Sequence, residues 1–110
     1  MIDWKRVNEL RAELGDDDFA PVVELFLDEI EGIVMRLTHG DAERLENDMH
    51  FLKGSAANLG FTAFAQICQQ GEIGARDGHD AFDLATLLDC YAATKKEFSG
   101  WNGGRKSGAA

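Results

Sequence analysis

Apolar residues recur at steps of three and four along most of this chain, and that spacing predicts five helices. The first runs from about Asp3 to Leu14. Val7, Leu10 and Leu14 form its apolar edge, with Trp4 one turn earlier. Asp3 is the expected N-cap and Gly15 the stop. Asp16, Asp17 and Asp18 form an acidic turn that caps the second helix and complements its positive end, and Pro21 falls in that helix's first turn. The second helix extends to about Thr38 on a broad stripe of Phe19, Val22, Val23, Phe26, Ile30, Ile33, Val34 and Leu37. Leu25 and Met35 lie off that stripe, and an exposed Leu25 is a candidate for helping a partner dock.

Thr38-His39-Gly40-Asp41 reads as a turn, with Asp41 capping a third helix that ends near Gly60. The stripe of this helix is Ala42, Leu45, Met49, Leu52, Ala56 and Leu59, and at about 18 residues it is roughly 27 Å long. Thr62 caps the fourth helix, about Ala63 to Arg76, with Phe64, Ile67, Cys68, Gly71 and Ala75 facing inward. Asp77-Gly78-His79-Asp80 is the next turn. The fifth helix covers about Ala81 to Phe98 and turns Leu84, Leu87, Leu88, Tyr91 and Phe98 to the core. No strand pattern and no internal repeat competes. The expected fold is all-α: an antiparallel up-down four-helix bundle, with the short N-terminal helix across one end. It occupies residues 1–100, and residues 101–110 read as a flexible Gly-rich tail from which Trp101 could pack back.

Composition narrows the function. The chain has 110 residues, one domain by length, and 45 % hydrophobic residues with seven Phe to fill a core. Its formal net charge is −9, from 20 acidic against 11 basic residues, which repels nucleic-acid backbones and anionic membranes. Cys68 and Cys90 stand in no metal-type or C-x-x-C spacing, and both fall on apolar faces as reduced core cysteines. The N-terminus has no signal-peptide pattern, and no apolar run approaches a membrane span. A soluble, cytoplasmic monomer is expected.

The candidate chemistry lies on the third helix. Taking its apolar stripe as zero, His50 lies about 130° away and Gly54 roughly 170° away, so both face solvent. Lys53 is roughly 70° off and Ala57 about 110° off, which places them beside the histidine. A glycine in mid-helix costs about 1 kcal/mol against alanine. On the solvent side, helix packing does not explain it. It fits a site where something bulky must approach His50 closely.

The run His50-Phe51-Leu52-Lys53-Gly54-Ser55-Ala56-Ala57-Asn58-Leu59-Gly60 resembles the signature of the histidine phosphotransfer (HPt) family, a histidine followed by x-L-K-G-S, small residues and L-G. The resemblance implies a phosphoryl group carried on His50, passed between a histidine kinase or hybrid kinase and the aspartate of a response-regulator receiver domain. It also implies that any Mg²⁺ belongs to the receiver, so that this chain binds no cofactor or metal of its own. The chain would be a phosphocarrier without complete catalytic machinery.

In the same family a Gln or Glu stands 22 residues after the histidine and hydrogen-bonds the ring's other nitrogen. That position is Glu72, and an Arg seen in some members 26 residues on is Arg76. Gln69 shares the polar side of that helix. A geometric argument agrees for Glu72. His50 lies 11 residues before Phe61 and Glu72 11 after it, so antiparallel helices joined there hold the two level. A carboxylate on Nδ1–H leaves Nε2 as the nucleophile. The expected site is thus His50, Lys53, Glu72 and Arg76, with Gly54, Ser55, Ala57, Gln69, Phe51 and Leu25 as binding or docking positions.

Two other readings compete. Glu43, Glu46 and His50 at helical spacing, with Glu72 near, could form a metal-binding helical bundle, but such ligands project into the core and His50 projects outward. The chain could also be a phosphotransfer domain cut from a larger kinase. No catalytic-domain motif follows it, so a free-standing protein is expected. His39 and His79, in turns, are expected to be exposed and without a role.

Overall fold

Asp3 starts the first helix as its N-cap. Its Oδ1 accepts the backbone N–H groups of Lys5 at 3.1 Å and Arg6 at 3.3 Å, two of the donors that a helix start leaves without a partner. The computed structural model describes residues 2–41, 43–77 and 83–109, with side chains through residue 100. The described residues form α1 (Trp4–Leu14), α2 (Asp16–Thr38), α3 (Leu45–Leu59), α4 (Thr62–Asp77) and α5 (Leu84–Ala109), with no strand among them. The architecture is a helical bundle, α2 to α5, with the shorter α1 added at the N-terminus.

The most extensive packing is between α3 and α4. Gly60 stops α3 in the left-handed conformation, at φ +81°. The Phe61 N–H then reaches back to the Ala56 carbonyl at 2.8 Å, closing a tight turn. So short a connection makes α3 and α4 antiparallel neighbours. α1 docks on this same turn. The Asp3 N–H donates to the Gly60 carbonyl at 2.7 Å, and Arg6 Nε donates to the Asn58 carbonyl at 3.1 Å.

Between the helices lies one core, built from the predicted stripes. Val7 and Leu10 of α1, Phe19, Val23, Ile30, Val34 and Leu37 of α2, and Met49, Leu52, Ala56 and Leu59 of α3 are buried. They meet Phe61, Phe64 and Cys68 on one side and Leu87, Tyr91 and Phe98 on the other. The Phe61 and Phe98 rings meet edge-on at 5.5 Å, and Phe64 meets Tyr91 at 5.2 Å. Both cysteines are free thiols, and burial, with Cys90 nearby, pushes the Cys68 thiol up to about 12. Among the described residues, no helix is long and apolar enough to cross a membrane.

Two polar ties cross this frame. Arg36 of α2 makes a two-pronged pair with the buried Asp48 of α3, at 2.9 and 3.0 Å. Glu31 of α2 accepts from Tyr91 and Lys95 of α5. The Lys95 and Tyr91 hydrogen bonds hold the Glu31 carboxyl below its ordinary value, while burial and Glu31 push the Tyr91 phenol up.

Several helix ends differ from the sequence expectation. α2 begins at Asp16, directly after Gly15, so the three aspartates form its first turn instead of preceding it. Pro21 therefore lies inside the helix, where its missing N–H leaves the Asp17 carbonyl without the ladder bond it would otherwise receive. α3 begins at Leu45, after Arg44, and Asp41 does not cap it. The Asp41 N–H bonds the Arg36 carbonyl at 3.1 Å and so finishes α2. α5 begins at Leu84 because Asp83 caps it, taking the Ala85 N–H at 3.1 Å and the Thr86 hydroxyl at 2.7 Å. It continues past Phe98 to Ala109, since extending an existing helix adds a hydrogen bond per residue and needs no apolar stripe. Ala42, the turn with His79, and the Trp101 side chain lie outside what is described.

Candidate functional site

The outward face of α3 carries the site. Met49 and Leu52 are fully buried, so helical geometry turns the intervening positions away from the core. The His50 side chain is 69 % exposed. Its Nδ1 lies 2.8 Å from Glu72 Oε2 on α4, and because a carboxylate only accepts, Nδ1 carries the proton. Nε2, on the opposite edge of an exposed ring, is turned away from Glu72. The Glu72 side chain is only 14 % exposed, so this bond is formed at the wall of the bundle.

Glu72 holds a second partner. Lys53 Nζ lies 2.7 Å from Oε1, so the two carboxylate oxygens bridge the imidazole and the ammonium. The Lys53 hydrogen bond, and after it that of His50, keeps the Glu72 carboxyl below its ordinary value despite partial burial. The carboxylate is therefore ionised at neutral pH. One turn beyond His50, Gly54 faces open space: a Cβ there would meet nothing within 4 Å. Ala57 is likewise exposed, so the strip beside the imidazole carries almost no side-chain bulk.

The Hpt domain family model matches residues 21–97. The chain belongs to the Hpt domain family. Histidine phosphotransfer in two-component signalling is the function of these domains, which are phosphocarriers. Phosphorelay protein LuxU of Vibrio vulnificus strain YJ016 is 26 % identical over 108 residues, 92 % of this chain and 94 % of that protein. Phosphorelay intermediate protein YPD1 of Candida albicans is 30 % identical over 94 residues, 79 % of this chain but 51 % of that protein. No solved structure gives a match.

Not every residue expected at this Hpt site joins it. Arg76 is 58 % exposed, and its Nε lies 3.7 Å from Asp77 instead of turning to Glu72 or His50. Gln69 is exposed one turn before Glu72 on α4. Ser55 is buried, so it is not part of the exposed face. Phe51 is 42 % exposed and lines a groove of about 550 Å³ between α2 and α3 with Glu29, Gly32, Ile33, Arg36 and Asp48. Leu25 stands out from α2 at 61 % exposure. His39 is exposed and donates from Nδ1 to the Met35 carbonyl at 2.9 Å.

The alternative of a metal-binding bundle finds no geometric support. Among the described residues, no group of three or more His, Cys, Asp or Glu is placed to hold a metal ion: Glu72 meets His50, but Glu43 and Glu46 do not complete a set of ligands with them. Two interactions had no sequence signal. The Lys53–Glu72 pair depends on how α3 faces α4. The Arg36–Asp48 pair joins two helices, outside the three- and four-residue spacings that reveal helix partners.

Proposed function

We propose that His50 is the phosphoacceptor, taking a phosphoryl group on Nε2 and exchanging it with the aspartate of a response-regulator receiver domain. The observation that carries this reading is the pairing of an exposed ring with a hydrogen bond from Nδ1 to Glu72 at 2.8 Å. That bond fixes the tautomer with its lone pair on Nε2. In the forward step Nε2 attacks phosphorus, the N–P bond forms and the donor's bond to phosphorus breaks. Positive charge developing on the ring is met by the Glu72 carboxylate. Phosphoryl transfer is governed by positioning and charge stabilisation. Lys53, one turn from His50, supplies a cation beside the transferred group, and Gly54 and Ala57 leave room for the partner's active site.

In this reading the phosphoryl source is a histidine kinase or hybrid kinase. The metal ion comes with the receiver, and the chain acts in the cytoplasm as a monomeric carrier without catalytic machinery of its own. Phe51 and Leu25 contribute to partner docking. Incubation with autophosphorylated kinases and phosphorylated receivers should place an acid-labile phosphate on His50. His50→Gln should keep the helical fold and carry no label, and label retained on that variant would refute the assignment.

A further inference from the structure

Gly32 lies inside α2 on its exposed side, and a Cβ there would meet nothing within 4 Å. Packing within the bundle therefore does not require a glycine. The residue borders the groove of about 550 Å³ between α2 and α3, where half-buried Ile33 and exposed Phe51 supply apolar walls. Arg36 and Asp48, at the same groove, neutralise each other through their two-pronged pair. Glu29, one turn before Gly32, is exposed and makes no ion pair among the described residues. The groove thus combines a gap in the helix surface, two apolar walls and one uncompensated negative charge.

Resting on the proposed function, we propose that Glu29 and Gly32 select the receiver: they admit a helix that crosses α2 at Gly32 and sets a lysine or arginine against Glu29. Phe51 follows His50 in the chain, so the groove opens beside the strip that a receiver covers when its aspartate reaches Nε2. Without a Cβ at Gly32, the backbone of a crossing helix comes closer to α2 than it could over any other residue. That approach brings an apolar side chain of the helix against Ile33 and Phe51, as in other helix-in-groove contacts. The formal net charge of −9 draws basic surfaces to this chain in general. Glu29 fixes where on the partner the cation stands, and a receiver with a carboxylate at that place is repelled.

The test separates docking from chemistry. Wild type, Gly32→Ala, Gly32→Leu and Glu29→Gln are labelled with phosphoramidate, which needs no docked protein, and adjusted to equal phosphohistidine. Transfer is then followed to the receiver domain of the source organism that wild type serves fastest. Gly32→Leu should raise KM at least about tenfold with little change in kcat, and Gly32→Ala should raise it less, because the closeness of approach is what each side chain removes. Glu29→Gln should raise KM about threefold at low salt and make its dependence on NaCl shallower, because one attraction subject to screening is gone. Wild-type KM in Gly32→Leu, or an unaltered salt dependence in Glu29→Gln, would overturn the inference while leaving the proposed function standing. If wild type is instead a dimer that Gly32→Leu dissociates, as read by sedimentation, the groove holds a second copy and the inference fails. A wild type that takes no label on His50 would overturn both readings. Should Gly32→Leu fail to fold, as circular dichroism would show, Gly32→Ala and Glu29→Gln carry the same decision.

Discussion

Lys53 reaches from α3 to Glu72 on α4, with Nζ 2.7 Å from Oε1, and so shares its carboxylate with His50. The lysine that the motif places beside the histidine is thereby tethered to the residue that orients the ring. The Glu72 carboxyl lies below its ordinary value first because of Lys53. The sign follows. This pairing contributes stability above the ordinary carboxylate range and loses it as pH falls through the depressed folded value. Lys53→Ala should raise the Glu72 titration midpoint towards that of a free glutamate, as read by carboxyl ¹³C NMR. It should also slow transfer. An unchanged midpoint would mean that the pair does not persist in solution.

Gly54 tests access. It has open space around it and ordinary helical φ, so Leu can be placed there without strain. Gly54→Leu should stabilise the protein by about 0.5–1 kcal/mol, because Leu is the better helix former. The same side chain would stand in the approach to His50 and should slow transfer to a receiver at least about tenfold, equivalent to about 1.4 kcal/mol of barrier. Thermal denaturation and a transfer time course on one sample separate the two effects. Transfer at the wild-type rate would remove the access role.

Gly60 is held for a different reason. Its φ is +81°, and a Cβ there would lie 2.7 Å from the Asp3 carbonyl and 3.2 Å from Val7. Gly60→Ala should cost about 1–2 kcal/mol for the left-handed backbone alone. Displacement of α1 from the α3–α4 turn adds to that. Denaturant unfolding measures the loss, and faster amide exchange in α1 should accompany it.

Asp48 is buried and matched by Arg36. Arg36→Ala should lower Tm by several degrees, because it strands a buried carboxylate. Adding Asp48→Asn should recover part of the loss, since a neutral amide is less costly to leave without its cation. A double variant no more stable than Arg36→Ala would show that the guanidinium acts through its packing against the groove.

The sequence by itself determined the helices, their buried faces and the outward placement of His50. These follow from a period of 3.6 residues, and a chain that must bury Met49 and Leu52 has no choice but to expose His50. The level of Glu72 against His50 was legible as well, because a short antiparallel turn at Phe61 converts equal sequence distance into equal height. Helix starts were less legible. Asp41 and Asp83 carry the same capping chemistry, yet Asp83 caps α5 and Asp41 completes the end of α2, since its N–H lies within reach of the Arg36 carbonyl. Only the tertiary structure decided which charges meet. Lys53 had Glu72, solvent or a bound phosphoryl group open to it, and Arg76 had Glu72 or Asp77. The rotation of α3 against α4 gave the carboxylate to Lys53 and His50 and left Arg76 at the rim with Asp77. Pairings of this kind depend on ångström-scale distances between helices, and periodicity along one helix carries no information about them.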